Sequence, residues 1–249
     1  MGDIMIGIQL TDDNHALVRA GIKTVTRRKM RLRGIPGSGW VIDYDKPQCR
    51  PYKPTGMSFI DRGDDLATIY HSEIIKRCPY GKPGDLIFIK EPVSLSYSNG
   101  LVTAWYCDKE SRQFHRHQPG IETLLEKQKN SYVAMFMPSC VARTIIKLKS
   151  IRYEYLMDID AVDAINEGIE CNPLILMGAN RYALQQCPAW RNYSSDSSGF
   201  RYGLTPEQSY RTLWESIHEE SEATAWQSAV VWVLEFNVVS HDGLAGLAA

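Results

Sequence analysis

Gly21-Ile-Lys-Thr-Val-Thr-Arg-Arg28 joins a helix end to a β-branched run, and its reading governs what lies on either side. Upstream, Thr11 is placed to cap a helix over Asp12–Ala20. Asp12 and Asp13 suit its first turn and Arg19 its last, as the helix dipole favours. Gly21 stands at the C′ position, where a left-handed backbone ends a helix at least steric cost. From Lys23 to Arg28 the residues read as a strand. One ammonium, two hydroxyls (Thr24, Thr26) and two guanidiniums (Arg27, Arg28) then crowd six positions. Such a set can hold a phosphate or an oxygen-rich base edge. The plainer reading is an edge strand whose charges discourage pairing.

Beyond it, residues 29–80 show little periodicity, and Gly34–Gly39 and Pro47–Gly56 read as loop, so about 29–80 is expected to be an insertion. Gly81-Lys-Pro-Gly-Asp85 is a tight turn into the apolar run Leu86-Ile-Phe-Ile89, which Pro92 stops. A strand is predicted over residues 101–107 and a helical turn over Glu122–Gln128. Arg143–Tyr155 alternates basic and apolar residues, as one long strand or a hairpin bending near Ser150. Asp158 or Asp160 then caps a helix running to Glu167 and ended by Gly168. A second insertion is expected over about 170–204, with Asn192–Gly199 its most disorder-like stretch. Thr205-Pro-Glu-Gln208 is a helix start with a capping box, followed by the apolar stripe Tyr210, Leu213, Trp214, Ile217. Ala229–Val239 reads as a buried strand. This order favours an α+β fold, a small β-barrel flanked by short helices with long loop insertions, over a doubly wound sheet.

Composition narrows the class without naming a function. With 249 residues, 44% hydrophobic and 23% charged, the chain is neither disordered, collagen-like nor a disulfide mini-scaffold. It suits one domain over 1–240 with insertions, and a C-terminal tail over 241–249. The net charge of −1 leaves any basic surface to a local cluster, at residues 23–33. Six cysteines without a C-x-x-C read as reduced thiols, which suits a cytoplasmic protein. The first residues lack a basic n-region, and no apolar run approaches the ~20 residues of a membrane span, so no membrane association is expected.

Five segments in order carry a family resemblance. Gly21–Arg28 resembles the opening motif of the ASCH domain family, a PUA-like β-barrel, in its bacteriophage and prophage form. Cys78-Pro-Tyr-Gly-Lys-Pro-Gly-Asp85 with the following Leu-Ile-Phe-Ile-Lys-Glu91 is similar to the family's turn and second strand. Met137–Arg143, Ser150–Ile169, and Leu213–Ile217 with Val231–Phe236 are similar to its later segments. The likeness covers about half the chain, outside the insertions. Pro92-Val93, Ser139-Cys140 and Ala229-Val230 depart from it, removing aromatic and basic groups near the presumed cleft. The resemblance implies either RNA binding or removal of the acetyl group from N4-acetylcytidine. Carried over motif by motif, the catalytic set is Lys23, Thr26 and Glu167. A modified nucleoside or RNA is the expected partner, in the cytoplasm, or the host cytoplasm for a phage protein. A phage accessory protein acting on a host protein is the third class.

The residues themselves constrain this. Amide hydrolysis needs a nucleophile, a base to activate it and a proton for the leaving amine. Lys23 accepts a proton only if burial or neighbouring cations lower its pKa, and Arg27 and Arg28 are such neighbours. On an ideal strand Lys23 and Thr26 point to opposite faces, so their convergence requires a bend after Gly21. On a helical wheel Ile159, Val162, Ile165 and Ile169 face the core, leaving Glu167 on the polar side with Asp160 and Asp163. The expected ligand contacts are Thr24, Arg27, Arg28, Lys90, Glu91 and Arg143. Trp190, Tyr193, Phe200 and Tyr202 with Arg191 and Arg201 make an aromatic-basic mixture that either stacks bases or packs locally. Trp214 and Trp232 read as structural. His115-x-His117 lacks a second ligand pair, so no metal is expected, and no cofactor.

Overall fold

A computed structural model describes residues 6–30, 41–44, 54–60, 66–177, 184–194, 199–202, 204–218, 224–227 and 229–243. The first elements are β1 (Ile6–Gln9), α1 (Asp12–Arg19), β2 (Val25–Lys29), β3 (Val41–Tyr44), β4 (Pro54–Ile60), β5 (Leu66–Tyr70) and α2 (His71–Lys76). Next come β6 (Leu86–Lys90), β7 (Val93–Ser98), β8 (Leu101–Tyr106), β9 (Ser111–His115), α3 (Ile121–Lys127) and β10 (Ser131–Tyr132). The last are β11 (Ile145–Tyr155), α4 (Ala161–Asn166), β12 (Cys171–Met177), β13 (Leu184–Asn192), β14 (Gly199–Tyr202), α5 (Pro206–Ile217) and β15 (Val230–Ser240). The fold is mixed α+β with several sheets and five α-helices, and among the described residues no sheet closes into the expected barrel. No helix there is long and apolar enough to cross a membrane.

The chain forms two compact units: Met1–Ile22 with Pro79–Ser150 and Glu235–Ala249, and Lys23–Cys78 with Ile151–Leu234. The long strands β11 and β15 each give one half to either unit. Both segments expected as insertions belong to the second.

In the first unit, β6 lies between β1, which it pairs in parallel, and the start of β11, which it pairs antiparallel. Successive residues Ile87, Phe88 and Ile89 are all buried, so both faces of β6 are covered, which is why the run is apolar throughout. Gly7 sits opposite Phe88, and a Cβ there would come within 2.5 Å of the Phe88 ring and 2.4 Å of the Lys90 side chain. A meander, β7-β8-β9 with β10 added at its edge, turns at Asn99-Gly100, both at positive φ, as a tight hairpin demands. Its inner face joins Ile121 and Leu124 of α3 in a core with Phe88, Leu95 and Val102.

This unit also buries charge. Arg143 is fully buried and Glu91 is 1% exposed. The guanidinium clasps Glu91 through Nε at 2.8 Å and Nη2 at 2.6 Å. Its Nη1 reaches Asp108 at 2.6 Å and Glu110 at 2.8 Å, and Arg19 binds the same two acids. His15, buried on α1, lies 3.4 Å from the Glu91 carboxylate. Burial first, then the Arg143 and Arg19 charges, lower its pKa to about 4. The folded state therefore refuses a proton that the unfolded chain accepts below about pH 6.5, so stability falls with pH through that window. The expected loss is about 2 kcal/mol by pH 5. Urea unfolding of the wild type and His15→Gln at pH 7.5 and 5 measures it; equal pH dependence in the two rules it out. Burial raises the Glu91 pKa, which works in the opposite direction, so it is the comparison with His15→Gln, which keeps Glu91, that isolates the histidine.

In the second unit, β2 runs beside the start of β15, with Met30 N donating to Val230 O at 2.9 Å. Val25, Val231 and Val233 join Leu156, Ile159, Ala164, Tyr210 and Trp214 in its core. The stretch about 29–80, expected as loop, contains the antiparallel meander β3-β4-β5 and the short helix α2; Gly34–Gly39 lies outside the described residues. The stretch about 170–204 holds a second meander, β12-β13-β14, with 178–183, 195–198 and 203 outside the described residues. Local capping chemistry is as expected. Thr205 and Gln208 form a full capping box on α5, and Asp160 caps α4.

The orientation of α4 differs from the helical-wheel expectation. Ile159 and Ile169 are buried, yet Val162 is 65% and Ile165 43% exposed, while Glu167 is 3% exposed. The helix ends at Asn166, and Glu167 is its cap. A helix of six residues is too short to be steered by its own apolar stripe. Two buried cations, Lys23 and Arg27, turn its acids inward instead.

Candidate functional site

The backbone ahead of β2 fixes the first functional side chain. Gly21 adopts φ +71, and the helix-ending bonds Gly21 N to Val18 O and Ile22 N to Leu17 O close α1. Thr24 N then donates to Asn166 O at 2.9 Å, tying this segment to the end of α4. Because β2 begins only at Val25, Lys23 precedes the strand, and the period-two rule does not bind it to Thr26.

Lys23 is 2% exposed. Its Nζ donates to the main-chain oxygen of Glu167 at 2.7 Å and to the Glu167 carboxylate. The first bond satisfies a carbonyl that every helix end leaves open. The second makes a buried ion pair. Arg27 meets the same carboxylate through Nη1 at 3.4 Å, while its Nη2 binds Glu154 at 2.6 Å and Asp163 at 2.5 Å. Arg152 completes the set on Glu154 and Asp163. Three cations thus meet three carboxylates. The Tyr210 hydroxyl donates to Glu167 Oε1 at 3.4 Å, and the Arg27 guanidinium lies 5.8 Å from its ring centre.

Electrostatics sort these groups by what they can do. Burial pushes the Lys23 pKa down; the Glu167 carboxylate opposes the shift, and Arg28 and Arg27 add to it. Burial alone would lower Arg27 too, but Glu167 and Glu154 outweigh it and hold the guanidinium charged. Tyr210 stays a phenol, kept so by burial and by the adjacent Glu167 charge. A buried amine with a lowered pKa against a carboxylate can exchange a proton with a bound reactant; a locked guanidinium cannot.

Of the expected catalytic set, Lys23 and Glu167 touch. Thr26 is buried at 4% exposure, but the Lys23 and Glu167 bonds do not include its hydroxyl. Strand alternation sets Thr26 and Arg27 on opposite faces of β2. Among the expected ligand contacts, Thr24 contributes its N–H, Arg27 is consumed by acids, and Arg28 is half-buried. Glu91 and Arg143 pair with each other in the first unit, where Lys90 Nζ donates to Met135 O at 3.1 Å. The aromatic-basic mixture packs largely locally: Trp190 is in the core, and Arg191 pairs with Glu170 beneath the Tyr193 ring. Phe200 is 42% exposed, and the Tyr202 side chain lies outside the described residues. His115 and His117 are exposed.

Sequence reasoning missed Glu154, Arg152 and Tyr210. Tyr210 sits on an apolar stripe at helical spacing, a pattern that marks burial but not what the hydroxyl meets. Neither a family model, nor a curated protein, nor a solved structure matches this chain.

Proposed function

We propose that this chain is an ASCH-type protein of the PUA-like class that takes a modified nucleoside at the Lys23–Glu167 pair and hydrolyses the amide of an N4-acylated cytidine. The observation that carries this reading is the buried contact between the Lys23 amine and the Glu167 carboxylate. In the reaction water adds to the acyl carbon, the C–N bond breaks, and the products are a carboxylic acid and the free exocyclic amine. The proton of the Lys23 ammonium first passes to Glu167, and the neutral amine then takes the proton of the attacking water. Glu167, in contact with that amine, passes a proton to the departing nitrogen. Thr26, the third member implied by the resemblance, lies on the face of β2 opposite Arg27 and outside the Lys23 and Glu167 bonds, so water is the nucleophile proposed here. The setting proposed is the cytoplasm, or the host cytoplasm for a phage protein.

The competing reading, a non-catalytic RNA- or DNA-binding module, asks Arg27 to meet phosphate. That guanidinium is fully buried and already bonded to Glu154, Asp163 and Glu167. A phosphate would have to displace carboxylates from a dry site, which costs more than it returns. Lys23 and Glu167 are as buried as Arg27, so burial does not rank the two readings; hydrolysis is preferred because the pair sets an amine of lowered pKa against a carboxylate. Incubation of the purified protein with N4-acetylcytidine is expected to release cytidine and acetate. No cytidine, together with salt-sensitive RNA binding that Arg27→Ala/Arg28→Ala abolishes, overturns the proposal in favour of the module.

A further inference from the structure

Tyr210 enters the site from α5, where it sits on the apolar stripe of the helix. Thr205 and Gln208 fix the start of that helix, and Tyr210 follows within its first two turns. The side chain is almost fully buried, packed in the core with Val25, Ala164 and Trp214. Its hydroxyl bonds Glu167 Oε1, and its ring faces the Arg27 guanidinium.

We infer that Tyr210 is a positioning residue that holds the Glu167 carboxylate in register with Lys23 and thereby sets how tightly that amine keeps its proton, an inference that rests on reading Lys23 and Glu167 as the reacting pair. Two donors meet Oε1, the Tyr210 hydroxyl and Arg27 Nη1, while Oε2 is left to Lys23. When Lys23 gives up its proton, the ionic tie to Oε2 goes. The two bonds on Oε1 remain and keep Oε2 facing the amine. A donor on Oε1 also draws charge away from Oε2, so it competes with Lys23 for the carboxylate. Removing that donor strengthens the hold of the carboxylate on the ammonium.

Among the described residues, the charged groups around the pair each have a place in this balance. Arg27 and Arg28 come from β2, Arg152 and Glu154 from β11, and Asp163 from α4. Arg27, Arg152, Glu154 and Asp163 are bonded to one another, so they change little when a hydroxyl is removed. Tyr210 is the neutral donor on the carboxylate, and a change there alters hydrogen bonding without altering charge count.

The test is an NMR titration of the Lys23 amine in the full chain with labelled lysine, the resonance assigned through Lys23→Arg. In Tyr210→Phe the Lys23 pKa is expected to rise by roughly half a unit or more, the size of one hydrogen bond. Replacing Tyr210 with 3-fluorotyrosine keeps the volume and makes a stronger donor, and the pKa is expected to fall. A tyrosine that merely fills the core would change the melting temperature and leave the titration unmoved. An unmoved titration in both variants, or shifts of the opposite sign, overturns the inference. Because no substrate is used, inactivity toward N4-acetylcytidine does not mimic either result.

Discussion

Arg143→Met is expected to destabilise the protein by about 3–5 kcal/mol, the usual cost of stripping one partner from a buried ion pair. The substitution leaves Glu91, 1% exposed, without either of its guanidinium bonds. The neighbour at 3.4 Å is His15; the Arg143 share of its lowered pKa goes with the guanidinium, but burial, the largest cause, and Arg19 remain, so it is a poor substitute for the lost charge at pH 7. Asp108 and Glu110 fare better. Both are substantially exposed, can rehydrate, and keep Arg19. The penalty should therefore reside in Glu91. Arg143→Met/Glu91→Leu is expected to recover most of the loss, because an apolar pair needs no desolvation of charge. Urea midpoints of the two single variants and the double variant decide it. A double variant as unstable as Arg143→Met would place the cost in packing, for instance in the guanidinium stacked 4.2 Å from the Tyr106 ring, and not in the stranded carboxylate.

That cluster shows what the sequence could and could not say. Lys90, Glu91 and Arg143 read from the sequence as ligand contacts. Residue types alone do not reveal that a carboxylate and a guanidinium separated by 52 positions satisfy each other. Local features were readable because their physics is local. Thr11, Asp160 and Thr205 each accept a bond from a backbone N–H three residues ahead, and Gly21 takes the positive φ that ends α1. Nonlocal pairing was not. The meander β3-β4-β5 fell where periodicity was weak, and the meander β12-β13-β14 in a segment read as an insertion. The inverted face of α4 is the sharpest case. An amphipathic wheel presumes that the interior is apolar, and here the interior holds Lys23 and Arg27, so Glu167 goes in and Val162 comes out.

If Lys23 is the base, removing it or its carboxylate should cost far more activity than any change around them. Glu167→Gln and Lys23→Met are each expected to lower the rate of N4-acetylcytidine hydrolysis by roughly 10²–10⁴-fold, the range for a general acid–base group. Combining them should cost little beyond the worse single variant, because the two act as one proton-exchanging unit. Lys23→Arg separates proton transfer from charge. It keeps a cation beside Glu167 but cannot lose its proton at any working pH, so it should be as inactive as Lys23→Met. Activity retained in Lys23→Arg would reduce Lys23 to an electrostatic support. Glu167→Gln carries its own check on stability. The amide leaves the Lys23 charge buried with less compensation, and burial already lowers the Lys23 pKa below that of the unfolded chain. The unfolded state then holds the proton more tightly, so stability rises with pH between the folded and unfolded values. Raising the pH toward 10 should therefore narrow the stability gap between Glu167→Gln and the wild type, since the variant can shed its stranded proton first. A gap that stays constant over that range would mean that Lys23 is not the group paying for the missing carboxylate.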